Sequence, residues 1–198
     1  MATEKLATEI RREQIAEAAL QALGVHGIRR LSVAVVAERV GLVPSAIYRH
    51  FHGKEEVLDA VVELIGRRLL ENVEAVRREF AGALERLEQL LQRHVQLIHE
   101  NQAIPRIMFS DEMAGGDPGR KAKIYGTIQS YLNGVAEIVR QGQRAGDLRR
   151  DTRAEVIAML FVGIIQPGAV LWHLSDGQFD ITSHAKRTWR LFRDAVAV

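Results

Sequence analysis

Residues 32–58 read SVAVVAERVGLVPSAIYRHFHGKEEVL, and this stretch decides the fold of the N-terminal part of the chain. The spacing of Val33, Val36 and Val40 favours a short helix over a strand. Gly41 ends that helix, and Pro44 suits the first turn of the next one, where the missing N–H of proline costs nothing. Two short helices joined by a tight glycine-containing turn indicate a helix-turn-helix.

The second of these helices, predicted over about residues 44–51, has an inner and an outer face. Ile47 and Phe51 are spaced to pack against the valines of the first helix. Ser45, Tyr48 and Arg49, at i, i+3 and i+4, then face outward. Arginine can bond guanine edges in a major groove, and hydroxyls can bond phosphates. The alternative is an ordinary helical hairpin, with Tyr48 at its edge and Arg49 as a solvated charge.

The distribution of charge agrees with a polyanionic partner. The chain has a net charge of +2, but residues 1–54 hold eight Lys and Arg against five Glu, and the remaining residues hold 19 basic against 20 acidic side chains. A small basic part on a neutral body fits nucleic acid. We interpret the charged end with Lys5, Arg11 and Arg12 as solvated, with DNA contact as the alternative.

Composition excludes several other classes of protein. With 198 residues, 47% hydrophobic and 26% charged, the chain is globular rather than disordered. The absence of cysteine excludes disulfide scaffolds, zinc ribbons and thiol nucleophiles. Residues 1–13 lack the apolar core of a signal peptide, and the apolar run 156–172 contains Gly163, Gln166 and Pro167, which favours a buried helix over a membrane span. We expect a cytoplasmic protein without a membrane partner.

Helical periodicity dominates the whole chain and predicts an all-α fold with nine helices. The first covers about residues 8–24 and ends at Gly24 and Gly27. Beyond residue 53 the predicted helices cover about 54–80, 83–100, 104–113, 121–145 and 152–173, with a last helix from 183. The change from three short helices to six mostly longer ones predicts two domains, 1–53 and 54–198.

Residues 10–60 resemble the DNA-binding domain of TetR/AcrR-family transcriptional regulators. The matching stretch is Ser32-Val33-x-x-Val36-Ala37-x-x-Val40-Gly41-Leu42-x-x-x-x-Ile47-Tyr48-Arg49-His50-Phe51-x-x-Lys54-Glu55-x-Val57-Leu58, and the upstream matches are Ile15, Ala18, Ala19 and Gly27. Tyr-x-His-Phe followed by Lys-Glu is among the more specific features of that family. Val36 stands where Ile is commoner, and Pro44 and Ala46 stand where Ser and Gly are frequent, which leaves the base preference open.

The resemblance implies roles for individual residues in DNA binding. Side chains that would contact phosphates are Ser32, Ser45, Tyr48 and His50. Lys54 would bring both its ammonium and a helix N-terminus to a phosphate. The residues nearest the base edges would be Pro44, Ala46 and Arg49.

For residues 54–198 the resemblance implies an effector domain with a small-molecule pocket. Candidate pocket residues combine apolar side chains with a few polar groups: Met108, Phe109, Met113, Tyr125, Ile128, Gln129, Gln166 and Trp172. Plain core packing is the alternative for each of them. Pro167 is expected to kink its helix beside Gln166.

The last two helices are expected to form a homodimer interface. The apolar helix near 156–172 has more apolar surface than one chain needs to cover, and the family resemblance implies a four-helix interface there. The candidate interface residues are Val156, Leu160, Ile164, Trp189, Phe192 and Val196. A twofold dimer would present two recognition helices about one duplex turn apart.

These features predict a homodimeric repressor that leaves a palindromic operator when a small apolar or amphipathic ligand binds. The alternative is an architectural DNA-binding protein without a ligand, which would leave most of the C-terminal residues without a role. An enzyme is not expected, because no nucleophile or phosphate loop accompanies the acidic pair Asp111 and Glu112. No cofactor or metal is expected either, since His94 and His99 are five residues apart and share a helix face poorly.

Overall fold

The computed structural model describes residues 2–101, 103–108 and 117–198, with the side chains of residues 2–5, Arg106 and Met108 left out. The described residues form nine helices and no strand, as the periodicity predicts. The helices are α1 (Ala2–Arg30), α2 (Val33–Val40), α3 (Pro44–Ile47), α4 (Lys54–Glu79), α5 (Ala83–Glu100), α6 (Ala103–Met108), α7 (Pro118–Ala145), α8 (Ala154–Leu174) and α9 (Ile181–Val196).

The first helix is longer than the sequence pattern predicts. It begins at Ala2 and continues through Gly24 without a break. Its one interruption is at Gly27, where φ is 72° and ψ is 172°. Only glycine adopts this backbone conformation readily, so Gly27 bends the chain while helical residues follow on both sides.

The turn between α2 and α3 has the geometry that the sequence indicates. Ser32 caps α2 by accepting a hydrogen bond from the backbone N–H of Val35 at 3.2 Å. Gly41 is left-handed, with φ 74°, and the N–H of Leu42 donates to the carbonyl of Ala37 at 2.8 Å. These bonds satisfy the last carbonyls of α2 and set the direction in which α3 leaves.

Other predicted helix boundaries differ as well, and α7 begins at Pro118 rather than at residue 121. The regular part of α3 stops at Ile47 rather than Phe51, because His50 N–H bonds the carbonyl of Ile47 in a tighter turn. The start of α8 has Arg153 as its N-cap without a side-chain hydrogen bond, so the helix begins at Ala154 rather than at residue 152. The last helix begins at Ile181, because Asp180 caps it by accepting from the N–H of Ser183 at 2.8 Å.

The described chain divides into two compact units, and α4 and α7 each continue from one unit into the other. One unit comprises Met1–Arg67 and Asn101–Tyr125, and the second comprises Arg68–Glu100 and Gly126–Val198. The helix-turn-helix therefore shares a compact unit with α6 and the start of α7, which come from beyond the sequence division at residue 53.

Close helix contacts in the second unit depend on small residues. A side chain at Gly168 of α8 would lie 2.9 Å from the ring of His184 in α9. The ring Nε2 of His184 lies 3.2 Å from the carbonyl oxygen of Ile164. The helix runs on through Pro167, whose missing N–H leaves a gap in the backbone ladder next to this bond.

A buried histidine lies in the same unit. His94 Nδ1 is 3.0 Å from the hydroxyl of Tyr131, and the two rings meet edge to face with centroids 5.3 Å apart. Burial lowers the pKa of His94 from 6.5 to about 4 and raises the pKa of Tyr131 above its ordinary value. Both side chains are therefore neutral at pH 7.

This pair predicts a loss of stability in mild acid. The unfolded chain protonates His94 near pH 6.5, whereas the folded chain resists protonation down to about pH 4. Lowering the pH from 7 to 5 should thus reduce the free energy of unfolding by about 2 kcal/mol through this residue. His94→Gln should lack this component in urea unfolding at the two pH values, while His99→Gln, an exposed histidine on the same helix, should keep it. An unchanged pH dependence in His94→Gln would assign the acid sensitivity to other groups.

Candidate nucleic-acid interface and effector groove

The outward face of α3 carries the side chains that the sequence selects for DNA contact. Ile47 and Phe51 are fully buried, with 0% of each exposed. Tyr48 is 56% exposed, and Pro44, Ser45 and Arg49 are exposed as well. Burial of one side of this turn thus leaves the other side available to a groove of the duplex.

The remaining candidates of this face lie at its margins. Ala46 and His50 are partly buried, and the hydroxyl of Ser32 is engaged in capping α2. The ammonium of Lys54 donates to the carbonyl of Ile28 at 2.6 Å, directly after the bend at Gly27. In this structure Lys54 therefore ties the start of α4 to the end of α1.

Positive charge surrounds His50. Burial, followed by the charges of Arg11, Arg12 and Arg49, lowers the pKa of His50 below 6.5. Its Nδ1 is buried and has no hydrogen-bond partner among the described residues. A ring nitrogen without a hydrogen bond and three positively charged arginines thus lie close together. An approaching phosphate would stabilise this arrangement.

Sequence reasoning missed the structural role of Arg12. Its guanidinium donates to the backbone carbonyl of His50 and lies 3.3 Å from a carboxylate oxygen of Glu56. It also lies 4.2 Å from the centre of the Phe51 ring. Arg12 thus connects α1, the end of the recognition turn and the start of α4, in place of the solvated side chain expected.

Glu56 is the other residue that the sequence analysis left out. Its carboxylate accepts from the backbone N–H of His52 at 2.7 Å and lies 2.8 Å from the ring Nδ1 of His52. These bonds, together with Arg12, lower its pKa to about 2. The spacing of His52 and Glu56, four positions apart at a helix start, is the signal in the sequence that could have indicated this pair.

The predicted effector-pocket residues that the structure describes differ in their exposure. Phe109 and Met113 lie outside the described residues, and nothing is described of the Met108 side chain. Tyr125 and Ile128 are exposed, and Gln129 and Gln166 are partly buried. Trp172 is buried, with His99 meeting its ring edge to face at 5.6 Å.

A groove of about 260 Å³ lies elsewhere in the second unit, between α5 and α9. Its floor consists of buried apolar residues: Leu91, Val95, Ala185 and Trp189. Its rim carries polar groups: Glu88, Gln92, Gln96, His99, Thr182 and Lys186. The ring of His99 reaches across to the hydroxyl of Thr182, with Nε2 and Oγ1 3.2 Å apart. An apolar floor with a few polar groups on the rim is typical of sites for small amphipathic molecules.

The predicted interface residues separate into two groups. Ile164, Trp189, Phe192 and Val196 are buried within the chain. Trp189 stacks on Phe192, with ring centroids 5.5 Å apart, and Phe192 meets Phe161 of α8 edge to face. Val156 and Leu160 are exposed, at 56% and 53%.

These two belong to a longer apolar stripe on the outer face of α8. Its exposed members are Val156, Met159, Leu160, Val170, Leu171 and Leu174. Among the described residues, α8 is the one helix long and apolar enough to cross a membrane by length and composition alone. Its buried face includes Ile157, Phe161 and Ile165, so the helix also packs within the chain.

An exposed recognition turn beside a cluster of arginines defines a DNA-binding protein of the helix-turn-helix class. Residues 15–61 match the bacterial regulatory proteins of the tetR family, and residues 81–196 match the tetracyclin repressor-like C-terminal domain. The chain belongs to the tetR family. It is a DNA-binding transcriptional regulator, and it is not an enzyme, since its relatives are regulators.

Individual relatives cover nearly the whole chain at low identity. The fatty acid metabolism regulator protein of Bacillus subtilis is 22% identical over 170 residues, covering 86% of this chain and 87% of its own length. The nucleoid occlusion factor SlmA of Shewanella pealeana is 22% identical over 183 residues, covering 92% and 93%. The crystal structure of the transcriptional regulator FadR from Bacillus subtilis in complex with stearoyl-CoA is 21% identical, with a TM-score of 0.75, and covers 90% of this chain and 96% of that one.

The exposed position of Arg49 predicts a role in reading bases. Arg49→Ala should weaken binding to the preferred site by about 1–3 kcal/mol and relax the preference at one base pair, as expected for a lost bidentate contact. Competition among singly substituted sites measures both effects. Arg153→Ala, which removes the same charge from an exposed position in the second unit, should change neither. Equal losses on preferred and random DNA would instead make Arg49 a phosphate contact.

Proposed function

We propose that this regulator is a homodimeric repressor, which binds a near-palindromic operator and is released by a small apolar or amphipathic ligand. The observation that carries the proposal is the combination of the exposed α3 face with the exposed apolar stripe of α8. The first supplies specific DNA contacts, and the second supplies a surface for a second copy. We place the protein in the cytoplasm, where it has access to the chromosome.

Dimerisation follows from the size of the recognition element. The regular part of α3 has only four residues, so one copy offers few base contacts. Two copies related by a twofold axis would double these contacts, with their recognition helices about 34 Å apart. The six exposed apolar residues of α8 form a contiguous surface of the kind that marks a protein interface. The interface proposed here uses this stripe, while Ile164, Trp189, Phe192 and Val196 support it from within the chain.

Leu160→Glu tests this interface. A carboxylate in the middle of a desolvated apolar contact should yield monomers, because burying an unpaired charge is strongly unfavourable. Sedimentation measures the mass, and operator affinity should fall while the helical circular dichroism stays unchanged. Val25→Glu makes the same change at another exposed apolar position, in α1, and should leave the mass unchanged. A Leu160→Glu protein that sediments as a dimer would exclude the α8 stripe as the interface.

The groove between α5 and α9 is the proposed effector site. Its apolar floor suits a hydrocarbon portion, and Lys186 and His99 on the rim can donate hydrogen bonds to a polar or anionic head group. One related B. subtilis protein is named for fatty acid metabolism, and the related FadR structure from B. subtilis is a complex with stearoyl-CoA. A molecule with an acyl chain and a polar head is therefore the first effector class to test. The residues Tyr125, Ile128, Gln129, Gln166 and Trp172 remain candidates for a separate pocket.

A ligand-independent DNA-binding protein is the second candidate. It is favoured by the match to a nucleoid occlusion factor, which equals the match to the fatty acid regulator in identity and exceeds it slightly in coverage. The two candidates differ in one measurable quantity, which is the coupling between ligand and DNA.

Titration of the protein with stearoyl-CoA and with stearate, each with and without operator DNA, measures this coupling. For a ligand-released repressor, operator and ligand should weaken each other by the same factor, typically about 5–150-fold. Gln92→Trp, which fills the groove from its rim, should reduce ligand affinity without changing operator affinity. Glu85→Trp, an exposed position on the same helix outside the groove, should behave like the parent. Ligand affinity that is identical with and without operator would support the ligand-independent protein.

A further inference from the structure

Arg120, in the first turn of α7, is an arginine with almost no exposed surface. Only 1% of it is exposed, and it is among the largest fully buried side chains of the described residues. Its Nε donates to Asp59 Oδ1 at 2.7 Å. Its Nη2 donates both to Glu55 Oε2 at 2.9 Å and to the backbone carbonyl of Glu55 at 3.1 Å. The guanidinium thus holds two side chains and a backbone carbonyl of α4 at once.

A second cation continues this contact one turn further along α7. Lys123 Nζ lies 2.7 Å from Glu63 Oε1 and 3.5 Å from Asp59 Oδ2. Glu55, Asp59 and Glu63 are spaced i, i+4 and i+8, so they form one acidic face of α4. Arg120 and Lys123 face this row, and together they fix the position of α7 along α4.

The part of α4 that Arg120 holds is also the part that orders the DNA-binding residues. Lys54 precedes Glu55 and bonds the end of α1 through the carbonyl of Ile28. Glu56 follows it and is bonded to His52 and to Arg12, which in turn bonds the carbonyl of His50. A displacement of the first turn of α4 would therefore disturb the groups around the recognition turn.

A simple stabilising role does not account for this choice of residue. Taking a guanidinium out of water costs several kcal/mol, and an apolar pair of similar volume usually packs at least as well. A guanidinium, however, has a planar fork of donors, so its bonds to Glu55 and Asp59 allow only one position of the two helices. Directional bonds of this kind specify a position rather than add stability.

We propose that Arg120 is a positioning residue for DNA binding, locking the start of α7 to the first turn of α4 in the arrangement that binds DNA. Because α7 continues without interruption to Ala145, a shift of its later turns would reach the DNA-binding residues through this contact. This coupling role rests on the proposed ligand-released repressor, whereas the positioning role rests only on DNA binding.

Arg120→Met, Arg120→Lys and Asp59→Asn test the positioning role. Methionine removes the charge, lysine keeps the charge without the fork, and asparagine weakens the partner while keeping its shape. Arg93→Met is the matched control, because it breaks an arginine–glutamate pair with Glu79 in the second unit. Operator affinity, its salt dependence and hydrogen exchange at the backbone amides of residues 57–61 are measured at a temperature where every variant is folded.

Arg120→Met should bind operator about tenfold more weakly, because fewer molecules hold the DNA-binding arrangement. Arg120→Lys and Asp59→Asn should show smaller losses in the same direction. The slope of log affinity against log salt should keep the parent value, since a buried arginine neutralises no phosphate. The amides of residues 57–61 should exchange faster in Arg120→Met and stay unchanged in Arg93→Met.

A lower melting temperature with operator affinity within twofold of the parent would overturn the proposal and leave Arg120 a stabilising residue only. Unchanged exchange at residues 57–61 would overturn it as well, and that measurement requires neither DNA nor ligand. If Arg120→Met does not fold, Asp59→Asn and Arg120→Lys decide the same question. Failure of the parent to respond to stearoyl-CoA or stearate would count against the effector class and leave these outcomes unaffected.

Discussion

The first turn of α4 is the constraint on which the DNA-binding part of this protein depends. Lys54, Glu55 and Glu56 are consecutive, and each is held by a different neighbour: the end of α1, the start of α7, and the pair Arg12 and His52. All four bonds involve a charged group, and two of them involve a backbone atom of the neighbour. Charge-assisted bonds are stronger than neutral ones, so they add directional restraints to the apolar packing of Val57 and Leu58. The recognition turn ends only a few residues earlier and takes its position from them.

Packing and electrostatics each shape a different side of the helix-turn-helix. Packing fixes its inside, where Ile47 and Phe51 have no exposed surface. Charge shapes its outside, where burial and then the charges of three arginines lower the pKa of His50, and its ring Nδ1 has no hydrogen-bond partner among the described residues. A site that is positively charged before DNA arrives favours a phosphate at that point and lowers the cost of desolvating it. A buried inner side and a positively charged outer side are what a DNA-binding helix-turn-helix needs, so the geometry agrees with the tetR-family assignment.

Two adjacent helices of the second unit use apolar surface differently. In α9 one stripe is buried, and it contains Ala185, Trp189, Phe192 and Val196. Most of the remaining surface is polar, so this helix can bury its apolar stripe within its own chain. In α8 apolar residues occur on almost every side, and one chain can cover only part of them. The exposed stripe from Val156 to Leu174 is the remainder, which is why the proposed dimer interface lies on α8. The proposed dimer stripe on α8 and the proposed effector groove between α5 and α9 therefore share no residue.

Features that are set by neighbours along the chain can be predicted from the amino-acid sequence alone. Gly41, Pro44 and the valine spacing predict the helix-turn-helix, because a left-handed glycine and a proline at a helix start act within a few residues. The outward direction of Tyr48 and Arg49 follows from the same spacing. The sequence does not show which apolar stripe faces the core, because the stripes with Trp189 on α9 and Leu160 on α8 repeat with the same helical period. The fold buries Trp189 and leaves Leu160 exposed. It alone brought Arg120 to Glu55 and Asp59, and Arg12 to His50, since these partners are separated by about 40 to 65 positions and no local pattern connects them.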